Sequence, residues 1–442
     1  MPSSDPIRHV ILLIMENRSF DHMMGGLSTV LPGLDGVDPQ HPHVNYDAAG
    51  TPFFQAPSTI RQTTSDPKHE HADVVIQLAN NNGGFVQDFI KAYPNSTTQE
   101  RQQIMDYFPA DFLPGLHSLA HDFTVCDRWY SSVPGPTWPN RFFALSGTSL
   151  GRILMPASVT TDPGAYFQQT QITLFDRLTQ AGKSWKNYFC DFPAAWLLLR
   201  NLLPQNVVHS RPIDEFFTAV RDEKSFPEFA FIEPKYFGAD ENDDHPPHNI
   251  MKGEKFIADV YNAIRSNPDL WNSSLLVIFF DEHGGFYDHV TPPGAVAPDD
   301  HQHEYTFDQL GVRVPSLLIS PWVSRAVDHT QYDHTSVLKY LIDKWKLGSL
   351  GRRAAAATSI AGALRESKPR TDTVPFIRVP YTVLMPEHPE WETAAVSGHQ
   401  DGLELFAQHL QSQINGVPQT ITQLADTVRT GILGIPAALG IK

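Results

Sequence analysis

The sequence predicts an α/β fold built on a mostly parallel sheet with helices on both faces. Three observations predict it. The run Val10-Ile11-Leu12-Leu13-Ile14-Met15 is continuous, apolar and of strand length, as expected of a strand buried on both faces. The run Leu275-Leu276-Val277-Ile278-Phe279-Phe280 has the same character. Between and after these runs, helical patterns alternate with further short apolar stretches, the rhythm of a parallel sheet covered by crossover helices.

Each of the two runs ends in polar groups. The first stops at Glu16 and Asn17; the second stops at Asp281-Glu282-His283-Gly284-Gly285. Open α/β sheets bind ligands beyond the carboxyl ends of their strands. Two buried strands that each deliver oxygen ligands there predict one shared site. Glu16, Asn17, Asp281 and Glu282 are hard donors, which favours Ca²⁺, Mg²⁺ or Mn²⁺, with Zn²⁺ also admitted. The plainer reading is that such residues cap strands and face water.

In chain order, residues 23–60 are loop-like, dominated by Gly, Pro, Asp and Asn. A helix is predicted over 71–78 and another over 85–92, after the Gly83-Gly84 break. Residues 111–122 read as a short helix leading into a strand at 123–127. The loop from Trp129 to Arg141 follows, with a helix through Phe142-Phe143-Ala144-Leu145. Thr137 stands before a proline and a helix, so it reads either as an N-cap or as a hydroxyl held at the helix's positive end. Residues 173–189 predict helix, glycine stop and strand; 229–232, a buried strand; 251–265, a helix; 314–320, a strand; and 332–346, a capped helix. Beyond Arg352 the signal weakens, leaving helices at 401–414 and 418–430 and an apolar, Gly-rich tail. The expected organisation is a catalytic domain over 1–380 and a helical C-terminal extension over 381–442, packed on or beside it.

Composition narrows the function classes. Hydrophobic residues make up 41% and charged residues 19%, enough for a sizeable core. A net charge of −16 argues against nucleic acid as a partner, which calls for Lys and Arg clusters. With Cys126 and Cys190 alone there is no CxxC spacing, so a thiolate zinc site is excluded; pairing of the two is left open. No apolar stretch approaches the ~20 residues of a membrane span. No signal peptide is visible, so the chain as written is expected in the cytoplasm, and outside it, secreted or periplasmic, if a leader has been removed. No P-loop and no Gly-x-Ser-x-Gly elbow is present, which weighs against NTPases and serine hydrolases.

Histidines number 20, so most are structural. His69, His245 and His334 lie in loops at element ends, where catalytic groups concentrate. A phosphate ester needs donors for its oxygens and an acid for its leaving alkoxide, and histidine supplies either. A threonine hydroxyl becomes a competent nucleophile only when activated by a metal or a base.

Six motifs in order carry a resemblance: ENRSFDH at 16–22, SDPKHE at 65–70, GPTWPNR at 135–141, DDHPP at 243–247, DEHGGFYDHV at 281–290 and DHTSVL at 333–338. With them the chain resembles the bacterial-type phosphoesterase family, which holds phosphatidylcholine-hydrolysing and non-specific phospholipases C and related acid phosphatases, within the alkaline-phosphatase-like superfamily. The resemblance spans residues 8 to about 345. It implies an alkaline-phosphatase-like α/β sandwich with Glu16, Asn17, Asp281, Glu282 and Thr137 as metal ligands and Thr137 as nucleophile. It aligns His69 and His245 with phosphate-contacting histidines and places His334 in a matching motif. The acid phosphatases carry serine at the position of Thr137 and aspartate at that of Glu282, so both residues tilt the reading toward phospholipase C.

The resulting expectation is a metal-dependent phospholipase C acting on a phosphatidylcholine-like lipid. The alternatives are an acid phosphatase acting on small phosphate esters and a non-catalytic metal- or lipid-binding module. Trp129, Tyr130, Trp138 and Asn140 flank the nucleophile and are expected to bind substrate, the rings by caging a quaternary ammonium. Transient contact with a membrane surface is expected, and no obligate protein partner. Arg18, Ser19, Asp21 and His22 are expected to brace the Glu16-Asn17 turn from behind.

Overall fold

A computed structural model describes residues 5–156, 166–388, 397–413, 423–425 and 427–428. The central sheet has eight strands: β1 (His9–Met15), β2 (Thr124–Cys126), β3 (Trp185–Phe189), β4 (Ser210–Pro212), β5 (Phe229–Glu233), β6 (Ser274–Phe280), β7 (Ser316–Ile319) and β8 (Ala326–Asp328). Their order across the sheet is β8-β2-β7-β6-β1-β5-β3-β4. The helices that bear on the site are α1 (His71–Gln77), α2 (Phe85–Ala92), α3 (Leu116–Asp122), α4 (Thr137–Ser146), α5 (Leu174–Gln180), α6 (Met251–Arg265), α7 (Thr335–Trp345) and α8 (Gly398–Gln413).

The two apolar runs are central and adjacent. Every residue of β1 and β6 is buried, which is why neither alternates polar with apolar. They pair in parallel along their full length, ending on Met15 opposite Phe280. That last pair brings the two polar tips level, side by side, at one edge of the sheet.

The sheet is mostly parallel, as expected, with one exception. β7 runs antiparallel to both β6 and β2. The chain leaves β6 after Phe280 and returns opposite Phe279 at Ser316, so it re-enters from the edge it left. A loop that begins and ends at one edge reverses the strand; a crossover would have kept it parallel.

Element bounds follow the sequence pattern closely. The predicted strand at 229–232 extends to Glu233. Of the two readings of Thr137, the N-cap does not hold: Thr137 is the first residue of α4, and Pro136 holds the cap position without a side-chain cap bond. The stretch 23–60 is not wholly loop: Val44–Tyr46 and Pro52–Phe54 pair in a short hairpin. The predicted helix at 401–414 is α8; most of 418–430 and the apolar tail lie outside the described residues. Leu403, Phe406 and Leu410 of α8 belong to the same apolar core as β1 and β6. Cys126 and Cys190 are both free thiols.

Candidate active site

The site forms where β1 and β6 end. Asn17 leaves β1 in the left-handed region, with φ of 59°. Asparagine is among the few residues that tolerate this conformation. The facing turn from β6 passes close by: a Cβ on Gly284, itself at φ +62°, would meet the Asn17 carbonyl oxygen at 2.1 Å. The Gly284 position thus admits no side chain, which accounts for the first glycine after Asp281-Glu282-His283. Backbone bonds lock the two tips together, from Asp281 N–H to Met15 O at 3.0 Å and from Arg18 N–H to Glu282 O at 3.0 Å.

Glu16, Asn17, Asp281 and Glu282 are all fully buried. Arg141, on α4, stands between two of them. Its Nη2 donates to Glu16 Oε1 at 2.8 Å and its Nε to Asp281 Oδ2 at 3.0 Å. A third donation, from Nη1, goes to the Tyr236 hydroxyl at 3.0 Å. Arg141 lies in the same motif as Thr137, four residues on, and so on the same face of the helix. Sequence reasoning missed it, although that spacing was the available signal.

Asn17 connects the acidic pocket to Thr137. The Thr137 hydroxyl lies 3.4 Å from Asn17 Oδ1, and Asn17 Nδ2 lies 3.1 Å from His69 Nε2. His69 gives its Nδ1–H to the Pro67 carbonyl at 2.8 Å. Its Nε2 is also 3.8 Å from Glu282 Oε1. If the ring is doubly protonated, the Asn17 amide must turn over, and Nδ2 then donates toward Thr137.

Burial and charge pull the two site histidines apart. Burial lowers the pKa of His69, but the Glu282 and Asp66 carboxylates outweigh it and raise it to about 9. Burial dominates at His245 and lowers it to about 4. The rings meet edge-on with centroids 6.0 Å apart. His245 Nε2 is buried without a hydrogen-bond partner. A proton-holding ring beside a neutral one is the pattern of an acid and a base.

The carboxylates are strained in a way that fits a cation. Burial pushes the Glu16 carboxyl well above the usual range, and Asp281, Asp243 and Glu282 push the same way against Arg141. Glu16 Oε2 and Glu282 Oε1 are buried and accept no hydrogen bond. Buried carboxylate oxygens without donors are costly. An oxygen-seeking divalent ion beside them would relieve both. Asp281 differs, because Asn17 N–H and Glu282 N–H already donate to its Oδ1 while Arg141 holds Oδ2.

A second group capable of holding a cation lies behind the turn. Ligand atoms of Asp21, Asp288 and His289 all fall within 4.8 Å of one another. Arg313 already sits among them, with Nη2 3.0 Å from Asp21 and Nε 2.8 Å from Asp288. Here the motif residues 18–22 find their partners. Arg18 donates to the Asp244 carbonyl at 2.9 Å, Ser19 to the Tyr287 carbonyl at 2.7 Å, and the His22 ring stacks on Phe286 at 4.1 Å.

Five residues expected at the site are placed otherwise by these contacts. His334 has no ring nitrogen left for a substrate: Trp129 Nε1 donates to its Nδ1 at 3.2 Å, and its Nε2 donates to the Asp281 carbonyl at 2.7 Å. It holds the backbone of Asp281 instead. Trp129 and Trp138 are completely buried, and Tyr130 is 3% exposed, so none presents a face to a choline. Trp129 stacks on Phe279, while the Trp138 indole nitrogen bonds His399. Asn140 receives the Val133 N–H and donates to the Gly135 and Pro136 carbonyls. It fixes the loop that delivers Thr137 and does not face the pocket.

The chain matches known proteins across the elements that build this site. The family model of the Phosphoesterase family matches residues 7–348. Non-specific phospholipase C3 of Arabidopsis thaliana is 32% identical over 415 residues, covering 84% of this chain and 76% of that one. Phospholipase C B of Mycobacterium tuberculosis is 28% identical, covering 90% of each chain. Among solved structures, a phosphonate monoester hydrolase of Agrobacterium radiobacter aligns over 82% of this chain and 78% of that one, at 9% identity and a TM-score of 0.39. The chain belongs to the Phosphoesterase family, hydrolases of phosphoric ester bonds.

Proposed function

We propose that this enzyme is a metal-dependent phospholipase C that cleaves the glycerol–phosphate bond of a phosphatidylcholine-like lipid through Thr137. One observation carries the reading. Thr137 begins a buried helix with its hydroxyl 3.4 Å from Asn17 Oδ1, and the same amide reaches His69 at 3.1 Å. The names of the relatives supply the substrate class.

A divalent cation bound by Glu16 and Glu282, with Asn17 beside them, would supply Lewis-acid polarisation of the phosphoryl group. The remaining work falls to the chain's own residues. The N-terminus of α4 favours an anionic phosphate near Thr137. Thr137 gives its hydroxyl proton to the neutral His245 Nε2 as its Oγ attacks phosphorus and the bond from phosphorus to the glycerol oxygen breaks. His69, whose Nε2 lies 3.1 Å from the Asn17 amide beside Thr137, gives its proton to the departing alkoxide. The water that then cleaves the phosphothreonine gives its proton back to His69, and His245 returns its proton to the Thr137 oxygen, so both rings end as they began. The products are diacylglycerol and the headgroup phosphate.

A substrate panel tests this reading: a choline phosphodiester and its monoester, each with and without chelator. Hydrolysis of the diester, abolished by metal removal and restored by Mn²⁺ or Ca²⁺, is expected. Preference for the monoester would favour an acid phosphatase, and activity after thorough metal removal would overturn the metal requirement.

A further inference from the structure

The C-terminal helix reaches the active site. His399, the second residue of α8, is buried beneath Trp138 and carries its Nε2 to 3.4 Å from Glu16 Oε1. It lies beyond residues 7–348, the part of the chain that the family model matches.

The ring orientation fixes what His399 can do. Trp138 Nε1 is a donor only, and it lies 2.9 Å from His399 Nδ1. Nδ1 must therefore be the lone-pair nitrogen. A protonated ring would set two N–H groups head to head. The ring's proton is on Nε2, the nitrogen that faces Glu16 and has no hydrogen-bond partner at present. His399 is thus placed to donate and is not placed to ligate a metal.

The acceptor is equally well defined. Arg141 Nη2 already holds Glu16 Oε1 at 2.8 Å, while Glu16 Oε2 has no partner. Arg141 of α4 donates to Oε1, and His399 of α8 sets its Nε2 3.4 Å from the same oxygen without completing a hydrogen bond, so the polar groups gather on Oε1 and leave Oε2 as the ligand atom.

The position of α8 is specified independently. Gln400 Nε2 donates to the Tyr236 carbonyl at 2.6 Å and to Glu241 Oε1 at 2.8 Å. Gly402 lies flat on Trp138, where a Cβ would approach the indole to 2.6 Å. Phe406 packs on Phe167 with centroids 5.0 Å apart. These contacts hold the first turns of α8 against the helix that carries Thr137.

We infer that His399 is a positioning residue of the active site: its Nε2–H, oriented by Trp138, faces Glu16 Oε1 and biases the carboxylate so that Oε2 is presented to a divalent cation. The C-terminal extension is then a working part of the catalytic centre. This rests on the metal-site reading of Glu16 given above.

Two isosteres separate the two ring nitrogens. His399→Asn supplies an acceptor where Nδ1 stands but falls short of Glu16. His399→Gln carries an N–H out to the place of Nε2. Mn²⁺ binding to the full chain is measured by electron paramagnetic resonance of the free ion, beside thermal melting of each protein. His399→Asn is expected to weaken Mn²⁺ binding about 10-fold, the lower end for loss of a group that orients a metal ligand. His399→Gln is expected to bind within about threefold of wild type, with both variants melting close to it. Unchanged affinity in both variants overturns the inference and leaves the metal site standing. Equal weakening in both, with lowered melting, also overturns it, since packing alone would then explain the loss. Failure of the wild type to bind Mn²⁺, Ca²⁺ or Mg²⁺ overturns the metal-site reading itself, and this inference with it.

Discussion

Arg141 Nη2 lies 2.8 Å from Glu16 Oε1, and both side chains are buried at the junction of α4 with the tip of β1. The guanidinium is planar and also reaches Asp281 at 3.0 Å, so one cation ties α4 to both strand tips. Removing it leaves two carboxylates buried without their counter-charge. Arg141→Ala is expected to cost about 3–5 kcal/mol in urea denaturation, the range for breaking a buried ion pair. Arg141→Lys keeps the charge but cannot fork, so it should fold better than Arg141→Ala while hydrolysing more slowly than wild type.

Asn17 combines a backbone and a side-chain role that two substitutions separate. Its φ of 59° costs an ordinary residue about 1–2 kcal/mol, while glycine adopts it freely. Asn17→Ala and Asn17→Gly both delete the amide between Thr137 and His69. Hydrolysis should fall in both by about 10²–10³-fold, as for loss of one preorganised polar group. Only Asn17→Ala should show the added backbone strain. Equal rates for wild type and Asn17→Gly would remove the amide from the mechanism.

His289 gives the fold a pH dependence of predictable sign. Burial lowers its pKa, but Asp21 and Asp35 outweigh this and raise it to about 10, from an ordinary 6.5. The charged ring therefore stabilises the fold fully below about pH 6.5, and this contribution is lost as pH rises toward 10. Asp35 behaves oppositely: the His289 hydrogen bond lowers it to about 2, so its contribution holds above about pH 4 and fades in stronger acid. Urea denaturation from pH 6 to 10 should show wild type losing stability relative to His289→Gln. A constant difference across that range would contradict the pairing.

The parts legible in the sequence are those set by local pattern. Val10–Met15 and Leu275–Phe280 announce buried strands, and the polar groups ending them announce the sheet edge where the site lies. The direction of β7 was not legible, because Leu317, Leu318 and Ile319 look alike in a parallel or an antiparallel strand. Arg141 and His399 went unread for a different reason. Each matters through a contact more than 120 residues away in the chain: the spacing of Arg141 from Thr137 gives its helix face but not its partners, and no spacing points to His399. The aromatic residues around Thr137 show the reverse error. Trp129 and Trp138 looked like a ligand cage, yet their indole N–H groups are used internally, on His334 and His399.

The central claim is that the Thr137 hydroxyl is the nucleophile. The direct measurement compares hydrolysis of a choline phosphodiester by wild type, Thr137→Ala and Thr137→Ser, with the phosphorus label followed onto protein in acid-quenched samples. Thr137→Ala should lose turnover by about 10³-fold or more and carry no label, while Thr137→Ser should retain both activity and labelling. Turnover by Thr137→Ala at the wild-type rate would contradict the account.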